Sequence, residues 1–159
     1  MKDDLYVQER ITEDQIEELI KRSAADVKIK KFTSDRRRFK SKKIFNTWKK
    51  NKKIFILTNK KKILLGLIWF EKKRLPVDEL RKKFKEYDLT FAIRLYEEVR
   101  GQGLAKPFMK EAFNEITDRY VWLSTLSNNK TAANLYTKFG FEPVGEYDRR
   151  LYMIYENRK

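Results

Sequence analysis

The sequence contains no cysteine and no histidine. The first absence excludes disulfides and thiolate chemistry. The second excludes imidazole catalysis and removes the commonest metal ligand, so no metal is expected. Any acid–base chemistry has to come from Asp, Glu, Tyr, Lys or the backbone. No apolar run approaches the length needed to cross a bilayer. The acidic start Met1-Lys2-Asp3-Asp4 leads into no long apolar stretch. No signal peptide is therefore expected, and the expected setting is cytoplasmic. Negative charge is also missing from one stretch. Residues 21–62 hold 18 Lys and Arg against only Asp26 and Asp35, a net of +16 in a chain whose total is +15. The remaining residues are close to neutral. A general preference for lysine would not concentrate the charge in one quarter of the chain.

What is present suits a folded protein. Apolar residues make up 41% and aromatic residues 14% of 159 residues. That is enough to bury a core in a single domain, 1–159. Leu5 to Val7 reads as an edge strand. Thr12 with Gln15 reads as a capping box opening a helix to about Ala25, with Ile16, Leu19 and Ile20 on one face. Ser41 to Asn51 reads as a second helix with Ile44, Phe45 and Trp48 inward. Its aromatics argue that the basic segment packs onto the body. Ile54–Thr58 and Ile63–Phe70 form a hairpin across the turn Asn59–Lys62. Gly66 in mid-strand points to a bulge or a close backbone approach. A loop or short polar helix fills residues 71–86. Leu89–Tyr96 alternates as a half-buried strand. A helix runs from Leu104 to Asp118, and a strand covers Val121–Thr125. A last helix is capped by Ser127 or Asn128 and ends at Gly140. Two closing strands span Phe141–Tyr147 and Arg150–Tyr155. The order β-α-α-β-β-β-α-β-α-β-β predicts an α/β or α+β domain around one mostly central sheet.

The most informative stretch is Val99-Arg100-Gly101-Gln102-Gly103-Leu104-Ala105-Lys106, between strand and helix. Two glycines there leave little side chain over the backbone. The peptide N–H groups and the helix dipole can then face an anion, with Arg100 and Lys106 adding fixed charge. A plain turn, whose glycines only let helix pack on strand, is equally consistent with the local sequence. A second stretch, Asn129-Lys130-Thr131-Ala132-Ala133-Asn134-Leu135-Tyr136-Thr137-Lys138-Phe139-Gly140-Phe141, is by itself an ordinary capped helix running into a strand.

Together the two stretches resemble the GNAT superfamily of N-acetyltransferases. Arg100-x-x-Gly103-x-Ala105 is similar to that family's Arg/Gln-x-x-Gly-x-Gly/Ala pyrophosphate loop. Asn129, Ala132, Tyr136, Lys138, Gly140 and Phe141 match its Asn-x-x-Ala-x-x-x-Tyr-x-Lys-x-Gly-Phe segment. The resemblance runs from about Leu89 to Tyr147 and is architectural before that. It implies a mostly antiparallel mixed sheet of six to seven strands, splayed at the cofactor site and flanked by about four helices. It also implies transfer of an acetyl group from acetyl-CoA to a primary amine by direct attack in a ternary complex.

The resemblance further implies roles for individual residues. The CoA pyrophosphate would lie on Arg100, Gly101, Gln102, Gly103, Leu104, Ala105 and Lys106. The pantetheine arm would pair with backbone near Ile93, Arg94 and Leu95, and Asn129 would contact it. Tyr136 would donate a proton to the leaving thiolate. A phenol of pKa about 10 stays protonated at neutral pH and can serve a thiolate of pKa about 8.5. The general base is less defined. Some members carry a Glu at the position of Leu89, which cannot act here. Glu71 and Asp88 are candidates, and Glu97 and Glu98 read more naturally as surface charges. A water relay, or an amine that arrives neutral, would serve as well, with catalysis resting on positioning and an oxyanion-stabilising N–H.

In that family the first two helices flank the acceptor. The +16 segment falls there, so an acceptor carried on an acidic partner such as RNA is one expectation. A solvated, solubilising face is the other. A non-catalytic module docking on nucleic acid or the ribosome through residues 21–62 is the alternative to an enzyme.

Overall fold

The computed structural model describes residues 3–159. Its strands β1 (Leu5–Gln8), β2 (Lys52–Asn59), β3 (Leu64–Lys72), β4 (Leu89–Leu95), β5 (Tyr120–Leu126), β6 (Glu142–Tyr147) and β7 (Arg150–Glu156) form one mixed sheet in the order β1-β2-β3-β4-β5-β7-β6. The β1–β2, β5–β7 and β6–β7 pairings are antiparallel, and β4–β5 is parallel. The helices are α1 (Glu13–Ala25), α2 (Val27–Phe32), α3 (Asp35–Arg38), α4 (Lys42–Trp48), α5 (Asp78–Lys83), α6 (Ala105–Asn114) and α7 (Lys130–Phe139). That is seven among the described residues where about four were expected. The extra ones are four to six residues long, too short to display a 3.6-residue period. Among the described residues no helix is long and apolar enough to cross a membrane.

The chain divides into two compact units. The first holds residues 1–69 and 93–112, and the second 70–92 and 113–159.

In the first unit, the expected capping box closes α1. Thr12 Oγ1 accepts from Gln15 N at 3.2 Å, and Gln15 Oε1 accepts from Thr12 N at 3.0 Å. Asp26 then ends α1 and caps α2, its carboxylate accepting from Ile29 N at 3.1 Å. Ser41 caps α4, which stops at Trp48 and continues as a 3₁₀ turn over Lys49–Asn51. Phe45 is buried as expected, but Ile44 is exposed. In so short a helix one turn faces the body, and position 44 falls on the other side. Phe39, Phe45, Trp48 and Trp69 pack edge-on or tilted at centroid distances of 4.8–6.0 Å. Each fully buried ring contributes about 1.5–3 kcal/mol.

Gly66 is explained by close approach. A Cβ there would lie 3.0 Å from the Arg94 carbonyl oxygen and 3.1 Å from Leu57 Cβ. Tyr96 is fully buried, and its hydroxyl has no hydrogen-bond partner among the described residues. Burial pushes its pKa far above the ordinary phenol value. An unfolded tyrosine ionises near pH 10 while the folded one stays neutral, so this group's contribution is intact below pH 10 and lost as pH rises above it. Tyr96→Phe removes the orphaned hydroxyl. The variant is expected to be at least as stable at pH 7 in urea unfolding and to lose stability less steeply above about pH 10. A loss beyond about 1 kcal/mol at pH 7 would mean that the hydroxyl is bonded.

In the second unit, β5 extends one residue beyond each end of the expected strand. α6 ends at Asn114, not Asp118. Asn129 caps α7, where Ser127 or Asn128 was expected: its Oδ1 accepts from Ala132 N at 3.2 Å. Gly140 ends α7 with φ 125°. Phe70, Phe91, Phe113, Phe139, Phe141 and Tyr155 form the unit's aromatic core. The β6–β7 hairpin turns on Asp148 and Arg149, both with positive φ.

Candidate functional site

The first unit carries Ile93, Arg94, Leu95 and the loop Arg100–Lys106. The second carries Glu71, Asp88, Asn129 and Tyr136. Each set is described on its own.

After β4, Tyr96 N donates to the Leu65 carbonyl at 3.0 Å. A 3₁₀ turn over Glu97–Val99 then delivers the chain to the loop. Gly101 and Gly103 sit at φ 72° and 71°, and a Cβ at either would meet nothing within 4 Å. Glycines needed for packing would be crowded, as Gly66 is. These two are needed for left-handed backbone, and the space over them is open. Gly101, Gln102 and Gly103 are exposed, while Leu104 is buried and anchors the start of α6. Leu104 has no side-chain oxygen to cap the helix, and Pro107 has no N–H. The donors at this helix start are thus backbone amides of the loop, Ala105 and Lys106.

Arg100 is committed elsewhere. Its Nε donates to the Leu95 carbonyl at 2.8 Å, and its Nη atoms meet Asp26 at 2.8 and 3.1 Å. Its side chain holds the loop against the strand end and the α1–α2 junction. Gln102 Nε2 donates to the Glu98 carbonyl at 2.8 Å. Arg22 grips both oxygens of Glu98 at 2.7 Å and, by that hydrogen bond, holds its carboxyl below the ordinary range. Glu98 is therefore ionised and engaged at neutral pH, which does not suit a base. Arg22 and Asp26, both members of the basic segment 21–62, thus hold Glu98 and Arg100 beside the loop.

Arg94 is bonded to a carboxylate that is fully buried. Asp35 accepts from Arg94 Nε at 2.6 Å and Nη2 at 3.1 Å, and from Arg38 Nη1 at 2.7 Å. Both guanidiniums lie over the Trp69 ring, at 4.8 and 5.3 Å. Arg94 Nη1 also donates to the Ile93 carbonyl at 2.9 Å. Within Arg36–Arg38, Arg38 turns inward to Asp35 while Arg36 and Arg37 are exposed. Asp26, Asp35 and Arg22 were not singled out from the sequence. Their signal was present: two isolated acids in a strongly basic stretch are the residues expected to be paired.

In the second unit, Tyr136 is buried, edge-on to Phe91 at 6.2 Å and to Phe141 at 5.9 Å. Asn129 spends its Oδ1 on the α7 cap, which leaves Nδ2 as the atom for any other contact. Asp88 is a half-exposed ion-pair partner of Lys72 at 3.1 Å, and Lys72 also pairs with Asp118. Glu71 is half-buried at the end of β3. Leu89 is buried and begins the parallel register of β4 with β5, Leu89↔Val121 and Thr90↔Trp122, which covers the first two residues of β4.

Known proteins agree with this reading of the fold. Residues 50–143 match the family model for the acetyltransferase (GNAT) domain. No curated protein matches the sequence. Among solved structures, a spermidine N-acetyltransferase from Vibrio cholerae, in complex with CoA and spermine, is similar at a TM-score of 0.75 and 14% identity. That match covers 98% of this chain and 97% of the other. An N-acetyltransferase from Staphylococcus aureus Mu50 is similar at a TM-score of 0.67 and 18% identity, covering 98% of this chain and 100% of the other. With the family model spanning more than half of its residues, this chain belongs to the GNAT family of acetyltransferases.

Proposed function

We propose that the protein transfers the acetyl group of acetyl-CoA to a primary amine. The observation that supports this most is the loop: two left-handed glycines with open space over them, just before a helix preceded by Leu104, which carries no capping oxygen. Backbone amides of Gly101 to Ala105 would bind the pyrophosphate, with Lys106 adding charge and Arg100 holding the loop in shape. Backbone groups of Ile93, Arg94 and Leu95 would receive the pantetheine arm, and Asn129, at its matching position in the family's motif, is proposed to contact it. When bound, acetyl-CoA supplies the acetyl group as a thioester. Tyr136 donates its hydroxyl proton to the departing sulfur. Glu71, half-buried at the end of β3, and Asp88, paired with Lys72, are the two candidates for the base that takes the proton of the attacking amine.

The acceptor need not be that of the structural relatives. Residues 21–62, with a net charge of +16, repel a polycation such as spermidine. An amine borne on a neutral or anionic molecule fits better. The test is a thermal shift with acetyl-CoA, followed by thiol release across a panel containing spermidine, peptide amines and anionic amines. The expected result is a clear shift and turnover favouring the anionic amines. No shift would overturn the enzyme reading, and preference for spermidine would overturn the acceptor reading.

Tyr136→Phe keeps the ring against Phe91 and Phe141 and removes the hydroxyl. It is expected to lower kcat by roughly 100-fold or more while acetyl-CoA affinity stays within about twofold. Equal losses in both would make Tyr136 a packing residue.

A further inference from the structure

The first unit has a cleft of about 620 Å³ bordered by Lys30, Arg36, Arg37 and Lys40, with Thr33 and Ser34. No carboxylate borders it. Among the described residues none of its four cations takes part in an ion pair, whereas Arg22, Arg38, Lys42 and Lys53 of the same segment all do. The only two acids of the segment face inward. Asp26 is bound to Arg100 and the α2 cap, and Asp35 to Arg94 and Arg38. The outer face therefore carries uncompensated positive charge. Lys28, Lys31, Lys43 and Lys50 of the same segment are exposed as well.

We infer that this cleft docks the phosphodiester backbone of a nucleic acid. Four unpaired cations in one cleft repel each other and hold condensed anions. Exchange of those anions for a polyanion is driven by counterion release. Lysine is depleted at protein–protein interfaces, and protein–nucleic acid interfaces are strongly positive, so the composition favours a nucleic acid over an acidic protein. The inference goes beyond the acetyl-transfer reading and stands or falls separately.

The test measures binding of the full chain to a fluorescein-labelled single-stranded RNA of about 20 nucleotides by anisotropy, from about 50 to 200 mM KCl. The matching DNA is a second arm, and pyrophosphate and polyglutamate are competitors. Affinity is expected to fall at least tenfold across that range. Arg36→Gln with Arg37→Gln removes two cleft charges. It is expected to weaken binding about tenfold and to reduce the log–log salt slope by between one and two. Lys60→Gln with Lys61→Gln, an equal charge loss outside the cleft, is expected to weaken it less than about threefold. Equal effects of the two pairs, or no binding at low salt, would overturn the proposal. So would competition by polyglutamate or pyrophosphate as strong as by unlabelled RNA. Stronger binding of either RNA or DNA supports it and says which backbone is preferred. The acetyl-CoA thermal shift of each variant, expected to be unchanged, verifies folding. Its absence in the unaltered protein would overturn the acetyl-transfer reading and leave the docking result intact.

Discussion

Asp35→Ala is expected to destabilise the protein by roughly 3–5 kcal/mol, the range for breaking a buried ion pair by removing one partner. The buried carboxylate serves two guanidiniums, and Arg94, whose side chain is 13% exposed, would lose its charge partner. In a chain of this size the loss corresponds to a fall in Tm of roughly 6–20 °C. Urea unfolding measures it directly. Asp35→Ala combined with Arg94→Leu should recover much of the loss, because the stranded charge goes with it. A double variant no better than the single one would mean that the cost lies in the α3 backbone and not in the unpaired charge.

Gly103→Val is expected to leave Tm nearly unchanged and to weaken acetyl-CoA binding at least tenfold. A non-glycine residue in the left-handed region costs about 1–2 kcal/mol, and a β-branched one more. Nothing within 4 Å of the added Cβ would push on the core, so the penalty appears as a loop that relaxes to another shape. About 1.4 kcal/mol is already tenfold in affinity. Gly66→Ala provides the contrast. Its Cβ would meet a carbonyl oxygen at 3.0 Å, so it should lower stability. A Gly103→Val protein that binds acetyl-CoA normally would remove the loop from the cofactor site.

Long elements with strong periods were legible in the sequence. The α1 capping box, the β2–β3 hairpin, the alternation of Leu89–Leu95 and the closing hairpin all rest on local chemistry. The short helices α2 and α3 were not, because each is fixed by what it packs on, whereas α5 falls within 71–86, where a loop or short polar helix was expected. Asp35–Arg38 is a single turn held by Arg94 across 59 positions. The loop's glycines were legible as special, but not the reason. The positive φ values and the open space beside them, which support the proposed anion loop over a packing turn, are set by the fold. Arg100 shows the converse. Its position in the motif is clear from sequence, whereas its partners, Leu95 and Asp26, are set by the fold.

One further consequence comes from how the chain threads its two units. It passes from the first to the second between Trp69 and Phe70, returns between Ala92 and Ile93, and leaves again between Ala112 and Phe113. The first two passages fall inside strands β3 and β4, and the third inside helix α6. None of the three lies in a loop. Neither unit is a continuous stretch that one truncation could isolate, and every cut at a unit boundary severs a hydrogen-bonded element. Fragments made at those boundaries should need their complement present to fold, so the two units are expected to be inherited and expressed as one indivisible piece.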